Sequence, residues 1–198
     1  MKKALLLAFT TTVLTLVPLS AQAPTCRMCP GTYIPREEVE AYVARAQGQG
    51  VSDQQVRAVD VGKSHVAIGV VHREKLAAPA PNSVAEHDLV SEVYHVISGS
   101  GTLMTGPDIA GAVRRPPDNE AVRLLNGPGN NGASIRGGVS HTLKAGDVMV
   151  IPAGTGHLWT KIDDQITYLM VRVDPDKATP IKDEAASKAD LSRTPPRR

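Results

Sequence analysis

Gly146-Asp-Val-Met-Val-Ile-Pro152-Ala-Gly154-Thr-Gly-His157 is the stretch from which the rest of this chain can be read. Lys144-Ala-Gly-Asp147 supplies turn residues at its start. Val148, Met149, Val150 and Ile151 form a short apolar run of strand length. Pro152 has no N–H and ends the ladder. Gly154 and Gly156 let the backbone double back, and His157 follows at a fixed place. Trp159 shares its face by the two-residue period of a strand. The pattern is turn, strand, turn, histidine.

A second such stretch lies upstream, His87-Asp-Leu-Val-Ser-Glu92-Val-Tyr-His-Val-Ile-Ser-Gly99-Ser-Gly101. The spacing Gly-x5-Pro-x-Gly-x2-His resembles the second signature motif of the cupin superfamily, with Lys161 where that motif closes on Asn. The upstream stretch resembles the first motif, His-x-His-x(3,4)-Glu-x6-Gly. His87 takes the second-histidine place, Glu92 the carboxylate place and Gly99 the closing glycine. Ala85 stands at the first-histidine place. The resemblance covers residues 60–174. It implies an all-β cupin jelly-roll barrel (a double-stranded β-helix) open at one end, of a kind that often pairs as a homodimer and so covers edge strands.

At 198 residues one domain is expected, with length enough for a real core. The net charge of +2 comes from Lys2 and Lys3, so the rest of the chain is balanced. Such balance gives no reason to expect a nucleic acid or an anionic membrane surface as partner. The N-terminus reads as a secretory signal over 1–23: Lys2-Lys3, an apolar run over 4–17 too short to span a membrane, and the small-x-small triplet Ala21-Gln-Ala23. An exported protein, periplasmic or extracellular, is the expectation, with removal of the first 21 to 23 residues and no membrane attachment afterwards. Cys26 and Cys29 are the only cysteines, read as a small disulfide loop or a thiol pair near a loose terminus. The surroundings of a redox, zinc or haem Cys-x-x-Cys are absent from the sequence.

Residues 24–54 form an extension with a short helix over 35–46. Pro35 stands near its start, acids fill the first turn, and Gly48 and Gly50 end it. Val39, Tyr42, Val43 and Ala46 make one apolar stripe suited to packing against a barrel. The barrel is expected over 55–174. Strands are read at 56–61, 65–72, 92–97, 101–105, 139–143, 148–151, 157–161 and 165–173, with Ser98-Gly-Ser taken as a turn. The segment 106–138 is rich in Gly, Pro and Asn, with 122–125 as a short strand at most. A loop of that length is expected to be a lid, an oligomer contact or partly disordered. Within it Gly127-Pro-Gly129-Asn-Asn-Gly132 matches a dinucleotide fingerprint by letters alone, with no following helix. Residues 175–198 are charged, contain Pro and read as a disordered tail.

His87, Glu92 and His157 are the candidate metal ligands. Two imidazoles and a carboxylate on neighbouring strands occupy one side of a divalent ion and leave the other positions open. Fe, Mn, Ni or Zn fits such a set, and Cu is compatible. The resemblance implies a further histidine; with Ala85 in its place, a fourth ligand would come from His72 or His141. For these two, and for His65, the plainer reading is an ordinary strand histidine. By parity Tyr94 shares the face of Glu92 and is the candidate proton or hydrogen-bond donor, while His95 points away. Two functions remain open: a metal-dependent oxygenase or isomerase acting on a small molecule, or a non-catalytic small-ligand-binding or structural cupin without metal.

Overall fold

The computed structural model describes residues 23–48 and 51–193. Nearly all of the proposed signal segment therefore lies outside the described residues. The first element is helix α1 (Arg36–Ala46), opened by Pro35, with Glu37 and Glu38 in its first turn and Arg45 in its last, as the helix dipole favours. The strands follow: β1 (Val51–Asp60), β2 (His65–Leu76), β3 (Val84–His87), β4 (Ser91–Gly106), β5 (Asp108–Ala110) and β6 (Val113–Arg114). After a π-helical turn at Ala121–Asn126 come β7 (Gly129–Gly132), β8 (Ser134–Arg136), β9 (Val139–Lys144), β10 (Val148–Ile151) and β11 (Gly156–Asp174). Helix α2 (Glu184–Leu191) closes the chain.

All pairings are antiparallel, and the all-β barrel implied by the cupin resemblance is what forms. The strands β4 and β11 are its spine. The first half of β4 lies between β10 and the end of β11, and its second half between β9 and the start of β11. On the far side β11 pairs with β2, and β2 with β1. The inward residues alternate as a half-buried strand requires. Val71, Tyr94, Val96, Leu103, Ile151, Trp159, Tyr168 and Met170 meet in one buried cluster.

Each of these two long strands differs from the expectation. Ser98-Gly-Ser does not turn the chain, and 92–97 and 101–105 are one strand. Gly99 instead absorbs an irregularity in the β4–β11 ladder with φ +77°, and a Cβ there would sit 1.9 Å from the Gln165 carbonyl oxygen. Likewise 157–161 and 165–173 are one strand with a register shift between Ile162 and Gln165. In both cases the turn residues bend a long strand without breaking it.

The segment 106–138 is not a structureless loop. The strands β5 and β8 pair with each other, and β7 lies between β3 and β6. Residues 122–125 belong to the π-helical turn, not to a strand. The glycine-rich 127–132 stretch leads into strand β7 and opens no helix.

A second correction concerns the tail. Residues 175–193 are ordered: Ala58 and Lys182 exchange backbone hydrogen bonds of 3.0 and 2.9 Å, and α2 follows with Asp183 as its N-cap. The order comes from specific polar contacts. Lys182 Nζ donates to the Gln55 carbonyl (2.6 Å) and pairs with Asp190 (2.6 Å), while Tyr42 Oη donates to the Ser187 carbonyl. Tyr42, Val56 and Val70 are buried under this layer, with Val39, Val43, Leu169 and Leu191 around them. Full burial of such side chains contributes roughly 1.5–3 kcal/mol each. The N-terminal segment is also tied down. Cys26 and Cys29 are joined to each other, and Thr25 Oγ1 donates to Asp60.

Candidate metal centre

His87 ends β3, Glu92 stands at the second position of β4, and His157 at the second position of β11. Backbone contacts draw these three ends together. Gly154 N–H donates to the His87 carbonyl (2.8 Å), and Ala153 N–H to Ser91 Oγ (3.0 Å). The turn after Pro152 is thereby laced to the segment between His87 and Glu92. Across the sheet Ile151 pairs with Glu92 and His157 with Ala85.

The side chains converge. His87 Nε2 lies 3.5 Å from Glu92 Oε1, and His157 Nε2 lies 3.5 Å from Glu92 Oε2. One ligand atom from each residue falls within 4.8 Å of the others. An ion with bonds of about 2.0–2.2 Å holds its ligand atoms about 3.0–3.5 Å apart, so each imidazole stands from the carboxylate at a spacing that a first-row divalent metal uses. All three residues are buried. Burial, the larger effect, pushes the His87 imidazole down to about 3 against the attraction of Glu92, with His157, Arg115 and Arg172 adding to the fall. Burial lowers His157 as well. Both rings are therefore neutral at pH 7, the form that binds metal. Burial alone would raise Glu92, but His87, His157, Arg172 and the Tyr94 hydroxyl outweigh it and hold the carboxyl at about 2.

The supporting contacts differ between the two histidines. His157 Nδ1 lies 3.1 Å from the Thr155 carbonyl oxygen, which can only accept, so Nδ1 carries the proton and Nε2 is left with its lone pair toward Glu92. His87 Nδ1 lies 3.4 Å from Arg115 Nη1, which can only donate. In this arrangement its Nε2 carries the proton, and metal binding there requires that proton to move and the guanidinium to shift.

The cavity beside the cluster has a volume of about 260 Å³. Tyr94 lines it, and its hydroxyl donates to Glu92 Oε2 at 2.8 Å. Burial, with Glu92 second, raises this phenol well above its usual value, so it keeps its proton. Ala85, at the vacant histidine place, also lines the cavity; its cross-strand partner Asn131 accepts from Arg115 Nε at 2.6 Å. Neither proposed fourth ligand joins the cluster. His72 alternates with the cavity-lining Val71 and Arg73, and its Nδ1 lies 2.8 Å from Thr167 Oγ1 on the outer face. His141 is exposed on β9, His65 Nδ1 faces the Thr179 carbonyl at 2.8 Å, and His95 is exposed on the outward face of β4.

Three arginines were missed from the sequence. Arg172, 1% exposed, lies between Glu92 Oε1 (3.4 Å) and Asp53. Gly69 leaves room for it, since a Cβ there would stand 3.3 Å from Arg172 Nη1. Arg73 lines the cavity and donates from Nε to Tyr168 Oη at 3.2 Å. Arg115 is held by Asn131, the Glu86 carbonyl (2.7 Å) and the Asn130 carbonyl (3.0 Å). The two strand arginines sit at inward-parity positions, two residues beyond Val71 and Met170, and that signal was available. A larger hollow of about 570 Å³ lies outside the barrel, between the 26–34 segment and the outer faces of β1 and β2, apart from the histidines.

No family model matches this sequence, and no curated protein matches it. Solved structures similar to it include the protein BH2720 of Bacillus halodurans, at 14% identity and a TM-score of 0.43 over 81% of this chain and 96% of that one. A cupin protein of Bacteroides fragilis is 17% identical, with a TM-score of 0.35 over 64% and 80% of the two chains. The oxalate decarboxylase of Lactobacillus farciminis is 17% identical, with a TM-score of 0.40; 65% of this chain matches and spans only 30% of that enzyme.

Proposed function

We propose that this chain is an exported cupin that holds one divalent first-row metal ion on His87 Nε2, His157 Nε2 and Glu92 and acts on a small molecule in the adjoining cavity. The observation that supports this reading most is the convergence of two buried imidazoles on the two oxygens of one buried carboxylate, 3.5 Å each. When bound, the metal would polarise substrate oxygens or activate oxygen, as an oxygenase or isomerase requires. The chain's own residues supply the rest. The Tyr94 hydroxyl keeps its proton and donates it as a hydrogen bond to Glu92 Oε2, which orients the carboxylate. Arg172 shares the Glu92 charge, which weakens the carboxylate as a donor and would leave the ion more Lewis-acidic. Burial of His87, Glu92 and His157 limits bulk water at the ligand atoms themselves.

The test is metal content and melting temperature of the parent, His157→Ala and His95→Ala. Stoichiometric metal in the parent and in His95→Ala, with loss of both metal and its thermal shift in His157→Ala, is the expected outcome. Parent protein that takes up no metal overturns the reading in favour of a metal-free ligand-binding cupin. The contacts of Arg172 with Glu92 and of Arg115 with His87 favour that second reading, because both occupy metal-ligating groups with cations. Export is tested by N-terminal sequencing of protein from the source cell, with a start after residue 21 or 23 expected. An intact Met1 would exclude removal of the signal.

A further inference from the structure

Two arginines face the cavity, Arg73 and Arg115, and among the described residues neither makes an ion pair with a carboxylate. Arg172 lies between Asp53 and Glu92, and this trio carries one net negative charge. Arg73 and Arg115 bring two positive charges to the same walls. A divalent ion at the cluster would add to that charge. Arg115 spends its donors on neutral acceptors, two carbonyls, an amide and an imidazole. Among the described residues Arg73 has one hydrogen bond, to Tyr168 Oη, and no carboxylate within ion-pairing distance. Tyr168 Oη accepts that bond and still has its own proton to donate. A guanidinium fork beside a phenol O–H matches the two oxygens of a carboxylate.

We infer that the cavity receives a small carboxylate, gripped by the Arg73 guanidinium and the Tyr168 hydroxyl, with Arg115 adding charge from the same lining. The inference rests on the reading of this cavity as the functional site and does not require the metal. About 260 Å³ is below the usual range for drug-sized ligands and suits a compact metabolite.

The experiment is calorimetric titration of the chelator-treated full chain with acetate, malonate and succinate, against their neutral amides and inorganic phosphate. The titrations are repeated after metal loading. At least one carboxylate should bind where its amide does not, and loading should tighten it. Arg73→Gln should weaken that binding roughly tenfold or more while metal uptake is retained. The inference is overturned by an amide that binds as tightly as its acid, by phosphate binding tighter than every carboxylate, or by no carboxylate binding in either form. Carboxylate affinity that Arg73→Gln leaves intact also overturns it, because the metal or Arg115 alone then holds the anion. If Arg73→Gln does not fold, the comparison of acid with amide on the parent decides. Carboxylate binding by the chelated parent, together with failure of metal uptake, would sink the metal reading and leave this one standing.

Discussion

Glu92 is the most contested side chain in the molecule. Its Oε1 faces His87 and Arg172, and its Oε2 faces Tyr94 and His157. Glu92→Gln keeps the shape and removes the charge, leaving Arg172 with Asp53 alone. We expect loss of metal and a destabilisation of roughly 3–5 kcal/mol in urea unfolding, as for other broken buried ion pairs. The imidazoles govern a separate response. The unfolded chain takes up a proton on His87 near its ordinary 6.5, whereas the folded chain refuses it down to about 3. Stability from this source is therefore full above about 6.5 and falls as pH drops toward 3. Glu92, held at about 2, begins to add to the loss only below its ordinary 4.5. Between pH 6.5 and 4.5 the urea midpoint of the metal-free protein should decline, and His87→Gln should make that decline shallower. A flat midpoint across this interval would contradict the assignment. The three metal candidates were legible because each fills a ligand place in one of the two motifs that the sequence resembles. Arg73 and Arg172 could have been found by parity. Arg115 could not, because nothing in its Gly/Pro/Asn-rich surroundings shows which way the chain folds back.

At the scale of elements, the length of β4 and β11 matters most. Neither strand would run the whole barrel without an irregularity that lets their ladder shift. Gly99→Ala puts a Cβ against the Gln165 carbonyl at φ +77°. It should destabilise by about 1–3 kcal/mol or more in urea unfolding. An unchanged midpoint would mean that the bulge relaxes without strain. Strand identity was readable where alternation ran for five residues or more, or where turn residues bounded a short apolar run, as in β10. Strands of two to four residues, such as β6 and β7, give too few alternations to register. The run at 122–125 was read as a strand because four apolar or long residues look alike in a strand and in a helical turn.

For the whole molecule, the barrel is covered on the outer face of β1 and β2 by α1 and α2, contributed by opposite ends of the chain. A chain stopped after Asp174 keeps the metal cluster but loses Lys182, Ser187 and Leu191 from that layer. Its expected behaviour is unaltered metal stoichiometry with stability lower by roughly 3 kcal/mol or more. Equal urea midpoints for the two forms would show that the layer contributes nothing. Composition hid this layer, because the charged and Pro-containing residues that suggested disorder are the ones that tie it down. The same clasp has a consequence in time. The Tyr42 hydroxyl finds its partners 145 and 148 residues later in the chain. Such distant closures are slow to form, and during synthesis they must wait for the far end to emerge. Until then the strands can pair while Val56 and Val70 lack their finished cover. Delay at that stage would reduce the yield of folded chains without altering how long a finished one lasts.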